Sequence, residues 1–188
     1  MHKIFLASKS PRRAEIISNA GFEYELISID VEEVYPETLP AGEVAEYLAT
    51  LKANALSTIP EDGLVLTADT IVILGDEILG KPINKDDARS MLEKLSGQKH
   101  LVITGVCIKS ASKTISFSDV SEVHFASLSA SEIEAYINTA SPFDKAGSYG
   151  IQDGLGMVAV TKIVGSYFNI MGLPIHTVYE KVKNWDTL

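Results

Sequence analysis

The sequence predicts an α/β fold in which a mixed, twisted sheet is flanked by helices. Three observations lead there. Apolar, β-forming runs alternate along the chain with amphipathic stretches at helical spacing. Hydrophobic residues make up 46% of the 188 residues and charged residues 22%, which favours a packed core over a disordered chain. No Pro/Gly/Ser-rich linker, repeat or low-complexity run breaks the pattern, so residues 1–188 read as a single domain.

The elements follow in order. "KIFLA" (3–7) is a buried strand that runs into the polar "SKSP". Ser10 then caps a helix with Pro11 at its first position and Gly21 as terminator, and Ala14, Ile17 and Ala20 form its apolar stripe. "EYELISI" (23–29) alternates as a strand. A second helix spans about 43–57, with Val44, Tyr47, Leu48, Leu51 and Leu56 on its buried side. "LVLTADTIVIL" (64–74) is strongly β-forming but interrupted by the polar "TADT", and "GDE" turns the chain into "ILGKP". "KDDARSMLEKLSG" is a helix closed by Gly97. "HLVITGVCIK" and "TISFSDVSEVHF" are antiparallel neighbours joined by "SASK". A helix at "SASEIEAYINT" carries Ser129 or Ser131 as cap, "GMVAVTKIV" is a late strand, and "PIHTVYEKVKN" is the last helix.

Composition narrows the function. A formal net charge of −9 argues against a general nucleic-acid binder, whose backbone contacts need a positive face. Lys9, Arg12 and Arg13 stand out against acidic runs such as "DVEEVYPE" (30–37), a distribution that suits a small anionic ligand. No apolar run approaches the roughly 20 residues of a membrane span, and the opening "MHKIFLAS" does not read as a signal peptide. Cys107 is the only cysteine, which excludes an intrachain disulfide and fits a reducing cytoplasm.

Four stretches carry candidate chemistry. In "SKSPRR" a strand enters a capped helix, whose free N–H groups and positive end suit phosphate, and two guanidiniums can grip its oxygens bidentately. The alternative is a pair of solvated surface arginines. In "TADT" Asp69 lies within an apolar run, where a carboxylate is paired, bound to a hard cation or exposed at a strand end. A turn or capping aspartate is the alternative, with Thr70 an ordinary strand residue. "ILGKP" presents Lys81 at a stiff corner, although loop lysines are commonly just solvated. "SPFDKAGSYGIQ" (141–152) and "GSYFNIMGLP" (165–174) read as glycine-rich ligand loops, in which Lys145 offers charge and the Gln152 amide can read a base edge. Lys52 reads most simply as a surface helix lysine.

Other chemistries lack their patterns. His2, His100, His124 and His176 have no metal-ligand spacing, and no G-x-S-x-G elbow or Walker A is present. Gly150, Gly154 and Gly156 lack the spacing of a dinucleotide fingerprint, and no helix is evident after them.

Taken together, "LASKSPRRAEII", "LKANA", "TADTIVILGDEILGKP", "LSGQKHLVITGV", "SPFDKAGSYGIQ" and "GSYFNIMGLP" resemble the Maf family of nucleoside triphosphate pyrophosphatases, in family order from residue 6 to 174. The resemblance implies a two-lobed α/β fold of the Maf and inosine-triphosphatase kind, with a central nucleotide-binding cleft. It implies a cytoplasmic enzyme, a homodimer, that depends on Mg²⁺ or Mn²⁺ and cleaves a nucleoside triphosphate to its monophosphate and pyrophosphate. Asp69 falls on the family's proton-accepting position, and Arg12, Thr70 and Gln152 on positions linked to substrate choice. Glu33, Lys52, Lys81 and Lys145 match cleft positions. The "SPRR" and "DKAGSYGIQ" versions resemble the dTTP/UTP branch, with modified pyrimidine nucleotides an open case. After "YGIQ" the run "DGLGMVAV" is one residue longer than the commoner version.

The resulting expectation assigns Ser8, Arg12 and Arg13 to phosphate, and Lys52, Lys81 and Lys145 to charge on the non-bridging and leaving oxygens. Glu33 and Asp69 hold the cation, and Asp69 also orients or deprotonates water. A nucleotide-binding regulator of cell division with little catalysis is the alternative. No membrane contact and no stable nucleic-acid binding are expected.

Overall fold

The alternating pattern is realised in a computed structural model that describes residues 2–56, 58–139 and 142–188. In chain order the elements are β1 (Lys3–Leu6), α1 (Pro11–Asn19), β2 (Tyr24–Leu26), α2 (Val44–Asn54), β3 (Gly63–Leu74), β4 (Glu77–Leu79) and α3 (Lys85–Leu95). Then come β5 (Lys99–Lys109), β6 (Thr114–Phe125), α4 (Ala130–Thr139), α5 (Gly154–Ala159), β7 (Val160–Val164), α6 (Tyr167–Met171) and α7 (Ile175–Lys183). The sheet is mixed, in the order β2-β1-β3-β5-β6-β7, with β4 pairing β3 off that path. The chain divides into two compact units: Met1–Asp69, Thr104–Asp119 and Gly172–Leu188 form the first, Thr70–Ile103 and Val120–Met171 the second. Among the described residues no helix is long and apolar enough to cross a membrane.

In the first unit β1 lies parallel to both β2 and β3, and Ile4, Phe5 and Leu6 are all buried. That two-sided burial is why "KIFLA" is a continuous apolar run instead of an alternating one. The strand expected over 23–29 shrinks to Tyr24–Leu26, because its register on β1 ends where β1 ends, at Leu6. α1 starts at Pro11 as expected and stops before Gly21, whose φ of 78° no β-carbon would favour. Its buried residues are Ile16 and Ile17, while Ala20 is exposed.

α2 turns inward a face that keeps Val44 and Leu48 of the expected side but is completed by alanines and Lys52 instead of Tyr47. Val44, Ala45, Leu48, Ala49, Lys52 and Ala53 are buried, and Tyr47 is exposed. Gly105 on β5 explains the choice. A β-carbon there would lie 2.2 Å from the Ala45 carbonyl carbon and the Glu46 nitrogen, so helix backbone rests on strand backbone. Only alanine-sized side chains fit such an approach, and Ala49 and Ala53 pack with the buried Cys107. Ser57, the expected end of this helix, lies outside the described residues.

β3 runs unbroken through "TADT", contrary to the expected interruption. Thr67 tolerates full burial because its hydroxyl donates to the Ala49 carbonyl oxygen at 2.7 Å. Gly75, at a φ of 61°, turns β3 into antiparallel β4.

The second unit packs Leu79 of β4, Leu92 and Leu95 of α3, Val123 and Phe125 of β6, and Ile133 and Ile137 of α4 in one core. Ser129 caps α4 reciprocally with Glu132: its hydroxyl accepts the Glu132 N–H, and Glu132 accepts the Ser129 N–H. "GMVA", expected as strand, is α5, and β7 begins only at Val160. Gly156 sits where a β-carbon would meet the Gly150 carbonyl oxygen at 2.2 Å, a tertiary constraint that residue propensity does not register. A helix therefore does follow Gly150 and begins at Gly154, but no strand runs into them over the described residues 142–150, and the dinucleotide fingerprint stays absent.

His100 is 2% exposed inside this core, edge-on to Phe125 and Tyr149, with Nε2 2.7 Å from the Tyr149 hydroxyl. Burial, with a smaller contribution from His124, pushes its imidazole down to about 4. The unfolded chain therefore binds the extra proton first, near the ordinary value of 6.5. The stability carried by the neutral ring is intact above that pH and is lost as pH falls towards 4. Urea unfolding at pH 7 and pH 5 should show a loss of roughly 2 kcal/mol from this residue, absent in His100→Gln. Equal slopes in both proteins would exclude the effect.

Candidate functional site

The turn from β1 into α1 is built around the Ser8 hydroxyl. Ser10 occupies the cap position, but its side chain makes no cap hydrogen bond. Its N–H instead donates to Ser8 Oγ at 3.2 Å, and Arg13 Nη1 donates to the same oxygen at 3.3 Å. Arg13 Nε donates to the Gly172 carbonyl oxygen at 2.8 Å. Arg13 thus ties this turn to the chain segment ahead of α7. The first turn of α1 contains no acidic residue to complement its positive end. Burial pushes the Arg13 guanidinium below its ordinary value and Arg12 lowers it further, while Asp69 and Glu33 act in the opposite direction.

The acidic counterpart follows from the packing of α2 on β3. Thr67 and Asp69 are two residues apart, so they share one face of the strand. Thr67 bonds Ala49, and Lys52, three residues further along α2, reaches Asp69. Its ammonium lies 2.5 Å from Asp69 Oδ1 and 3.1 Å from Glu33 Oε1. Lys52 is only 8% exposed. The simple reading of a surface lysine fails because Lys52 shares the buried face of α2 with Ala45, Leu48, Ala49 and Ala53. Among the described residues no group of three or more His, Cys, Asp and Glu side chains is placed to hold a metal ion.

The second unit contains the other predicted residues. Thr70, next to Asp69 on β3, is half-buried. Lys81 is exposed and follows Gly80, whose carbonyl oxygen accepts the Gly147 N–H at 3.0 Å. That bond links the Lys81 corner to the loop carrying Lys145. Gly147 and Ser148 have φ of 68° and 66°, and Ser148 is fully buried with its hydroxyl donating to Met91 Sδ at 3.1 Å. A serine in the left-handed region costs on the order of 1 kcal/mol or more, which this packing offsets.

Lys145 Nζ is 2.7 Å from Asp144 Oδ1 and 3.4 Å from Asp153 Oδ2. Gln152 lies in a turn closed by the Asp153 N–H donating to the Gly150 carbonyl oxygen at 3.1 Å. Its Oε1 is buried and has no hydrogen-bond partner among the described residues. Ser141, the first residue of this stretch, lies outside them. The other glycine-rich stretch, 165–174, is not a ligand loop throughout. It contains α6, and the buried Asn169 side-chain amide donates to Val102 O at 3.0 Å and Ser121 Oγ at 2.9 Å.

Two residues at the site escaped the sequence reading. Tyr136 belongs to the apolar stripe of α4, yet its hydroxyl donates to Asp153 Oδ2 at 3.2 Å. Asp153 sits in a glycine-rich run that reads as a turn. The acidic residue adjoining Gln152 was the one available signal.

Removing Lys52 leaves Asp69 and Glu33 facing one another without their shared cation. Lys52→Met should lower unfolding free energy by roughly 3 kcal/mol, as a broken buried pair does. Glu33→Gln should cost under about 1 kcal/mol, because Glu33 is exposed. Chemical denaturation of the two variants checks the order.

The model of the family described as "Maf-like protein" matches residues 3–185. A protein of Phocaeicola vulgatus named dTTP/UTP pyrophosphatase is 52% identical over 184 residues, covering 97% of this chain and 95% of that protein. One of the same name from Flavobacterium psychrophilum is 47% identical over 183 residues, covering 97% and 94%. Another from Porphyromonas gingivalis is 44% identical over 188 residues, covering 98% and 94%.

Proposed function

The chain belongs to the Maf family, and we propose that it is a pyrophosphatase cleaving dTTP and UTP to the nucleoside monophosphate and pyrophosphate. One observation carries the reading: a buried lysine shared by two carboxylates, Lys52 with Asp69 and Glu33. This arrangement suits attack of water on a phosphorus atom, where catalysis is chiefly positioning and electrostatics. In the reaction the water oxygen bonds the α-phosphorus, the bond to the α–β bridging oxygen breaks, and pyrophosphate leaves.

Asp69 orients the water and accepts its proton. Lys52 offsets the charge of Asp69 and of the α-phosphate oxygens. Ser8, Arg12 and Arg13 bind phosphate. Lys81 and Lys145 receive the charge developing on the leaving pyrophosphate. Arg12, Thr70 and Gln152 discriminate among nucleotides, and the uncommitted Gln152 Oε1 suits a base donor.

Asp69 and Glu33, two oxygen donors converging on one positive charge, fit Mg²⁺ or Mn²⁺, which take one or two carboxylates and keep several waters. When bound, the cation would supply charge neutralisation at the triphosphate. A cytoplasmic homodimer is the form proposed from the family resemblance.

Pyrophosphate should appear from dTTP and UTP with Mg²⁺ or Mn²⁺ and should stop with EDTA; release of orthophosphate as the first product would overturn the reaction. Asp69→Asn should keep the fold at some cost in stability, with Glu33 still facing Lys52, and lose roughly 10³-fold in kcat. Metal-dependent turnover close to wild type would remove Asp69 from the chemistry. Arg12→Ala and Gln152→Ala should change the ratio of kcat/KM between dTTP and dGTP; equal slowing on both nucleotides would show that neither residue reads the substrate.

A further inference from the structure

We infer that Asp153 and Tyr136 are positioning residues that hold the base-reading amide of Gln152 and the phosphate-binding ammonium of Lys145 as one unit. The inference rests on the pyrophosphatase reading above and deepens it. Asp153 precedes α5, where an aspartate ordinarily turns its carboxylate onto the free N–H groups of the helix. Here it makes no cap hydrogen bond. Its Oδ2 instead accepts the Tyr136 hydroxyl at 3.2 Å and lies 3.4 Å from Lys145 Nζ.

The same carboxylate folds back over its own turn. A β-carbon on Gly150 would lie 2.7 Å from Asp153 Oδ2 and 2.8 Å from its Cγ, so only glycine leaves room for it. The turn runs from Gly150 to Asp153, with Ile151 and Gln152 between, and the Asp153 N–H to Gly150 O bond closes it. Tyr136 is 6% exposed, and its hydroxyl also takes a backbone hydrogen bond from Gly150. One hydroxyl therefore fixes both ends of the turn that carries Gln152. A buried tyrosine needs a partner for its hydroxyl, and this pairing satisfies donor and acceptor together.

Lys145 connects the turn to the phosphate side. Its ammonium is divided between Asp144 and Asp153, so loss of the Asp153 charge shifts Lys145 towards Asp144 as the Gln152 turn loosens. A merely structural role would slow all substrates alike. A positioning role changes discrimination, because the turn decides where the amide stands relative to the base.

The test compares kcat/KM for dTTP and dGTP in Tyr136→Phe, which removes one oxygen from an otherwise unchanged core residue, in Asp153→Asn, and in the double variant. The dTTP preference should fall about 10-fold in each single variant, the equivalent of about 1.4 kcal/mol. The double variant should fall no further, since both act through one contact. Asp153→Glu, which keeps the charge, should recover part of the preference. An unchanged preference in both single variants, or effects that multiply in the double, would overturn the inference. Gln152→Ala separates the two levels. If it abolishes the preference while Tyr136→Phe and Asp153→Asn leave it intact, the inference alone fails; if it too leaves the preference intact, base reading by Gln152 fails and the inference with it.

Discussion

The Lys52 ammonium, shared between Asp69 and Glu33, is the contact on which much else in the first unit converges. A lysine this deep is costly unless its charge is met, and a carboxylate within an apolar strand carries the same cost. Each makes the other tolerable. The pair also demands a geometry: α2 must lie directly on the sheet for a side chain from its buried face to reach β3. Gly105 and the alanines at 45, 49 and 53 provide that approach, and the Thr67 hydroxyl to Ala49 carbonyl bond sets the register. Core packing and the candidate site here share the same set of contacts.

The two arginines at the head of α1 divide in an analogous way. Arg13 is held by Ser8 and by the Gly172 carbonyl, so it braces the strand-to-helix turn as well as adding charge. Its neighbours Asp69 and Glu33 oppose the effects of burial and of Arg12 on its guanidinium. Positive charge at a helix N-terminus is thus partly balanced within the protein, and an anionic ligand would complete the balance. In the second unit the left-handed backbone at Gly147 and Ser148 and the tie from Gly147 to Gly80 hold two lysine-bearing segments in fixed relation.

Much of the fold was legible in the residues because it follows local rules. The Pro11 start and Gly21 stop of α1, the Gly75 turn, a serine cap on α4 and the continuous apolar run of β1 each record a backbone requirement in side-chain identity. The failures share a different cause. "GMVA" became helix, "EYELISI" was cut to three residues, and α2 turned its alanines inward. In each case a close backbone approach or the end of a partner strand outweighed propensity.

By itself, the sequence determined the α/β class, the order of the main elements and, through its ordered motifs, the family. These signals survive in one dimension because helix caps, turns and alternating burial are set by neighbours along the chain. Only the tertiary structure decided that Lys52 is buried against Asp69, that Arg13 grips a carbonyl 159 residues away, and that Tyr136 and Asp153 meet. Those contacts join residues whose separation along the chain says nothing of their distance. They depend on which helix face the small residues allow onto the sheet, a steric choice made only once the backbones pack.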